Sequence, residues 1–528
     1  MSRTPLARVL SRAYALARSA QASGEPLDEA LDRANAMRDA SRRRFLRQGA
    51  VAAGALALAS CRHLPLYTPP QDEDVVIVGA GVAGLAAAWR LRQAGVAATV
   101  YEAQERVGGR MLSLRGHFAD AQVCELGGEL IDTGHTRIRA LAAELGLILD
   151  DLAGAGTHGF DDTWYFDGAL RSEADIVRAF APVAAAIARD QETLGDEDIT
   201  WRTPGAAAAL DGMTIAQWFE RNGVSGWLRT LLDVAYTTEM GLECDEQSAL
   251  NLLTFISSDA EHFKLFGDSD ERYHVRGGND QIPAQLAARL SGGIESGAAL
   301  EAMRQRDDER YVLTFRRGAS SFDVQARQVV LAIPFTTLRK VRIDVPLPAV
   351  QRRAIDELRY GTNAKLMLGV QDRVWRTRHH ANGSLMCDLA PQTTWETSRA
   401  QPGKAGILTN FTGGRHGVAI GEGTPRYQAD KAAAELDRIF PGLAAARTGA
   451  REARFHWPTH PWTLGSYACF TPGQWTTIRG AMGENVGNLY FAGEHCSLDN
   501  QGFMEGGVES GELAAQQVLA ARKVAATA

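Results

Sequence analysis

Cysteine is sparse and scattered. The six cysteines, at positions 61, 124, 244, 387, 469 and 496, form no C-x-x-C pair and show no metal-ligand spacing. No metal centre is therefore expected, and most of these thiols read as small buried hydrophobes. An excess of basic charge is also missing. The net charge of -7 and the pI near 6 argue against nucleic acid as a partner. The apolar run 49–60 is too short for an ordinary membrane span. What remains is an ordinary globular composition, 45% hydrophobic and 23% charged. Its length of 528 residues suits two or three domains with ample core.

The most informative stretch is 75–110. Val75-Val76-Ile77-Val78 is a continuous apolar run, as expected of a strand buried on both faces of a parallel sheet. Gly79, Gly81 and Gly84 follow with G-x-G-x-x-G spacing and open an Ala-rich helical segment. Such glycines serve a tight turn, close backbone approach to a pyrophosphate, and helix–strand contact, while the helix start offers N–H groups to the diphosphate. A second strand ends at Glu102, where a carboxylate can accept hydrogen bonds from a ribose diol. Gly108-Gly109-Arg110 then points to FAD rather than NAD: the paired glycines bring a second backbone segment to the pyrophosphate, and Arg110 can neutralise it. Gly127-Gly128-Glu129 is a further glycine-rich approach.

Elsewhere the pattern divides the chain. Residues 1–40 read as one or two amphipathic helices. Ser41-Arg42-Arg43-Arg44-Phe45-Leu46-Arg47 with the following apolar run resembles a twin-arginine export signal, and Leu58-Ala59-Ser60-Cys61 resembles a lipobox with Cys61 as lipid anchor. Both imply a periplasmic location; the competing reading is a basic helix leading into a linker, in a cytoplasmic protein. Segments 72–135, 270–334 and 476–528 carry the strand–glycine–helix style of a dinucleotide domain, and 136–269 reads mainly as a helical insertion. Segment 335–475 reads as a separate mixed sheet that includes Lys365 in an apolar strand. The fold expected is α/β: a Rossmann-like FAD domain built from discontinuous segments, a mixed α+β substrate domain and the helical insertion, after the 1–71 extension.

Over roughly 72–522 the chain resembles the flavin-containing amine oxidase family, which includes monoamine, L-amino-acid and polyamine oxidases. The motifs that carry the resemblance are the glycine fingerprint with Glu102, the GGR, Gly127-Gly128, Gly277-Gly278, the strand 329–334 and Lys365. They continue through Trp457, Gly465-Ser466-Tyr467, Ala492-Gly493-Glu494 and Phe503-Met504-Glu505-Gly506-Gly507. The resemblance implies that Lys365 holds a water at flavin N5, that Trp457 packs by the flavin, and that Tyr467 and Phe503 form an aromatic cage. It places Gly493, Glu494, Met504 and Glu505 near the cofactor. Ser466 stands where covalent members have cysteine, so FAD is expected to be non-covalent.

The implied reaction oxidises the Cα–N bond of an amine to an imine, hydrolysed to carbonyl and ammonia, with O2 reduced to H2O2. The expected partners are therefore a small amine or amino acid and O2, in a homodimer. L-amino acids are slightly preferred as substrates, with monoamines or polyamines next. A tryptophan 2-monooxygenase-like reaction fits the same motifs, as does an amine dehydrogenase that passes electrons to a quinone or cytochrome. The arginine that animal L-amino-acid oxidases carry after the paired glycines is absent. Glu129 stands there instead, as a candidate for attracting a second amino group or, equally, as a structural residue behind the site.

Overall fold

The computed structural model describes residues 73–154, 160–255, 269–290 and 292–527, with parts of 13–31. The twin-arginine-like segment, Cys61 and the linker lie outside the described residues.

The first strand, β1 (Glu73–Val78), is buried from Val75 onward and runs straight into the glycine turn. Gly79 adopts a φ of +103°, and a Cβ there would lie 2.6 Å from the Ala332 carbonyl oxygen, so only glycine fits. Helix α1 (Val82–Gln93) then folds back over the sheet, its alanines and Leu85 buried. A Cβ on Gly84 would lie 2.0 Å from the Gly79 carbonyl oxygen, and this sets how closely helix and strand pack. Strand β2 (Thr99–Tyr101) pairs in parallel with β1 and ends at Glu102.

The other side of β1 is taken by the C-terminal half of β3 (Ser320–Leu331), also in parallel. Strand β5 (Leu489–Phe491), more than a hundred residues later, adds to β3. The N-terminal half of β3 pairs antiparallel with Tyr311–Arg317 and extends the sheet. The terminal helix, Met504–Thr527, crosses α1 so closely that a Cβ on Gly511 would lie 2.1 Å from the Ala83 carbonyl oxygen. One layer is thus assembled from segments about four hundred residues apart, Glu73–Val78 and Met504–Thr527.

A second sheet of seven strands runs in the order Glu452–His456, β4 (Ala364–Val370), Gly406–Thr412, Thr393–Glu396, Ala381–Cys387, Asp161–Phe166 and Ala169–Leu170. Its last two strands fall within 136–269, which reads mainly as helical in the sequence. Asp161–Phe166 pairs in parallel with Ala381–Cys387, a partner two hundred residues away that local periodicity does not reveal. Leu149–Asp151 likewise pairs with Tyr273–Val275. The rest of that segment is helical: Thr136–Glu144, Glu173–Leu194, Ile215–Arg221 and Gly226–Met240 are its main helices. Ser172 with Asp175, and Thr214 with Gln217, cap two of these in reciprocal capping boxes.

Part of the N-terminal extension belongs to this helical layer. Tyr14 is buried and donates its hydroxyl to Gln191 Oε1 at 2.8 Å, and Arg178 pairs with Asp28 at 2.9 Å. Among the described residues no helix is long and apolar enough to cross a membrane, and no three His, Cys, Asp or Glu side chains are grouped as metal ligands.

Candidate active site

Between the two sheets lies a cavity of about 720 Å3. One end is the glycine-rich turn. Gly79, Gly81, Glu102, Gly108, Gly109, Arg110, Gly127, Gly128, Gly493, Glu494 and Met504 all line the cavity. Gly84 does not; its part is the helix–strand contact above.

The two glycine loops touch. A Cβ on Gly109 would lie 3.3 Å from Gly81 Cα, whereas one on Gly81 would meet no protein atom within 4 Å. That space, open beside the start of α1, is the cradle that a diphosphate requires. Glu102 stands at the same end with one oxygen accepting from Ala80 N at 2.7 Å and the other from Gln104 N at 2.9 Å. Burial pushes its carboxyl up from the ordinary value despite those two bonds. The residues present fit a flavin dinucleotide.

Arg110 and Glu505 are both tied to protein groups. Arg110 donates Nη1 to Glu494 Oε1 and to the Ser466 carbonyl, both at 2.8 Å, so its charge is already balanced by a carboxylate. Glu494 also accepts from Gly502 N at 2.7 Å, fastening the loop before the last helix. Glu505 does not reach the cavity at all. Its two oxygens accept from Arg137 N at 2.9 Å and Ile138 N at 2.8 Å, capping the helix Thr136–Glu144. A glutamate one residue into a helix is well placed for either task, and only the position of the neighbouring helix decides between them.

The far end of the cavity is aromatic: Trp395, Phe411, Trp457, Trp462, Tyr467 and Phe503. Trp457 donates Nε1 to the Leu126 carbonyl at 2.9 Å, and Tyr467 donates its hydroxyl to the Glu239 carbonyl at 2.7 Å. Phe503 packs on the His135 ring at 4.9 Å. Ser466 is hydrogen-bonded to Asn363 Oδ1 at 2.7 Å, and among the described residues no cysteine lines this cavity.

Lys365 enters from β4, flanked in register by Phe411 and Phe455 on the neighbouring strands. Its ammonium donates to Glu129 Oε2 at 2.7 Å, to the Gly127 carbonyl at 2.8 Å and to the Glu125 carbonyl at 3.3 Å. The pair is deeply buried, with side-chain exposures of 6% for Lys365 and 7% for Glu129. The other Glu129 oxygen accepts from Trp395 Nε1 at 2.9 Å and Thr397 Oγ1 at 2.7 Å. Burial alone would raise the Glu129 carboxyl; the Lys365 charge and the three side-chain donors outweigh it and hold it below the ordinary value. Glu129 is therefore occupied by Lys365, Trp395 and Thr397, which favours the structural of its two readings. No local motif marks Trp395, Thr397 or Asn363 in the sequence.

This glycine cradle, together with a buried lysine and an aromatic far wall, is matched by a family assignment: residues 82–519 match the flavin containing amine oxidoreductases. The chain belongs to that family. Among its relatives, an L-amino acid dehydrogenase of Synechocystis sp. is 26% identical over 475 residues, covering 86% of this chain and 96% of the relative. The bovine flavin-containing amine oxidase A is 25% identical over 463 residues, covering 84% and 85%. The fold is shared with cyclohexylamine oxidase from Brevibacterium oxydans IH-35A, at a TM-score of 0.74 and 24% identity, over 86% of this chain and 99% of that one. Wild-type putrescine oxidase bound to putrescine gives a TM-score of 0.74 at 22% identity, over 86% and 100%. The chain is thus a flavin-dependent oxidoreductase acting on amines.

Next to Glu494 lies a second buried group with a measurable consequence. His495 follows Glu494, is 0% exposed, and has neither ring nitrogen hydrogen-bonded. The Phe335 ring packs on it at 4.4 Å. Burial brings its pKa down to about 4. A folded-state value below the unfolded one means that stability is complete above about pH 6.5 and is lost as pH falls towards 4. Urea unfolding at pH 7 and pH 4.5 should differ by about 2–3 kcal/mol from this residue. His495→Leu should remove that part of the pH dependence; an unchanged slope in the variant would sink the assignment.

Proposed function

We propose that the protein is an FAD-dependent amine oxidase that converts a small amine, water and O2 into a carbonyl compound, ammonia and H2O2, with FAD held non-covalently. Bound at this site, FAD supplies the two-electron oxidation of the Cα–N bond. The chain supplies the rest. Tyr467, Phe503 and Trp457 wall an aromatic slot that disfavours an ammonium ion and so presents the neutral amine. Lys365 provides the cavity's buried ammonium at that end. Ser466 and the absence of a lining cysteine among the described residues support non-covalent binding.

The observation that carries the substrate reading is the charge on the walls. Among the described residues, the cationic side chains lining the cavity are Arg110, Arg316, Lys340 and Lys365. Arg110 is paired with Glu494, Lys365 with Glu129, and Arg316 with Glu301. None of the four is an arginine set free at the aromatic end for a substrate carboxylate, which favours an amine without one. An L-amino acid is the second reading, favoured by the similarity to the Synechocystis L-amino acid dehydrogenase.

Anaerobic bleaching of the bound flavin separates these readings. Monoamines or diamines should reduce it, while the L-amino acids that would yield them on decarboxylation should not. Reduction by the amino acids alone would establish the second reading. No reduction by any amine or amino acid would overturn both.

A further inference from the structure

A lysine that acts as a free cation at a flavin needs a donor and a charge to spare. Lys365 has neither. An ammonium has three N–H donors, and three acceptors are built around this one: the carbonyls of Gly127 and Glu125 and the Glu129 carboxylate. The carboxylate is itself immobilised. Trp395 and Thr397 hold its second oxygen, and the Thr397 hydroxyl is 2.6 Å from that of Thr409. The Trp395 ring also lies against the ammonium, at 5.3 Å.

We propose that Glu129 is a positioning residue that cancels the Lys365 charge and fixes its direction, so that the flavin of this enzyme faces one half of an ion pair rather than a free cation. The proposal rests on the FAD reading above. It follows that an anion attacking the flavin, or the negative charge that develops there on reduction, receives less help from Lys365 than an isolated ammonium would give. Glu129 thereby acts as a brake on how readily the cofactor is reduced and on how fast O2 withdraws the electron pair as H2O2.

Other charged groups around Lys365 leave this pair in control. The Glu125 carboxylate is taken up by Ser113 Oγ at 2.7 Å, His274 Nε2 at 2.9 Å and Asn279 N at 2.9 Å. The Cys124 thiol is pushed far up by burial and stays neutral.

The test uses purified, flavin-loaded wild type, Glu129→Gln, Glu129→Asp and the double variant Glu129→Gln/Lys365→Met. Sulfite, which adds to oxidised flavin as an anion and bleaches it, is titrated from pH 6 to 9, and flavin midpoint potentials are measured alongside. Glu129→Gln should bind sulfite about tenfold tighter than wild type at pH 6, as expected of an uncompensated charge in a low-dielectric cavity. The midpoint potential should move in the positive direction, Glu129→Asp should fall between, and the double variant should return to wild-type affinity. Sulfite affinity and potential in Glu129→Gln that match wild type across the range would overturn the proposal, as would a double variant that keeps the gain. A wild-type protein that purifies without flavin would instead overturn the FAD reading, so the two failures are distinct.

Discussion

Gly81→Val is expected to give a folded protein that carries no flavin. At Gly81 an added Cβ meets no protein atom within 4 Å, so the side chain has room to form. The room it takes is the cradle at the start of α1, where the backbone must approach a diphosphate closely. Flavin content per polypeptide should fall below about a tenth of wild type while circular dichroism is retained, since backbone approach at this glycine cannot be replaced. Gly84→Val provides the contrast. Its Cβ would overlap the Gly79 carbonyl oxygen at 2.0 Å, so that variant should lose folded protein along with flavin. Normal flavin loading in Gly81→Val would mean that the cofactor does not use this turn.

Lys365→Met is expected to be the most destabilising single change in the cavity. Methionine fills much of the lysine's volume, but it leaves the Glu129 carboxylate buried and without its counter-charge. Breaking one side of a buried pair costs about 3–5 kcal/mol, because the orphaned charge cannot reach water. Denaturant unfolding should show that loss, and Glu129→Gln in the same chain should recover most of it. The double-mutant cycle isolates the coupling between the two residues. Simple additivity of the two substitutions would mean that the 2.7 Å contact contributes nothing to stability.

Much of the first sheet is legible in the sequence because its signals are local. The run of apolar residues before Gly79, the glycine spacing and the acid after β2 are contiguous in sequence and remain contiguous in space. The aromatic wall is reachable through the family resemblance, and Tyr467, Phe503 and Trp457 do line one cavity with Lys365. What escapes depends on partners far along the chain. Asp161–Phe166 is a strand because Ala381–Cys387 is there to pair with it. The sequence leaves the role of Glu129 open between substrate contact and structure because its three side-chain donors come from Lys365, Trp395 and Thr397, more than two hundred residues away. Glu505 misleads for the same reason: position alone assigns it to the cofactor, and it is held by backbone N–H groups that sequence spacing does not show.

The discontinuity of the first sheet also orders events in time. The cavity requires Gly79 and Gly81 from near the beginning of the described chain, and Glu494, Met504 and Gly507 from near its end. β3 waits for β5, and α1 waits for the terminal helix that crosses it. At a synthesis rate of about 5–20 residues per second, the early glycines are exposed for tens of seconds before their partners leave the ribosome. Until then there is no closed floor for a dinucleotide. The cavity is therefore complete only once the C-terminal segment has emerged, and a chain truncated before residue 494 has no complete site to load.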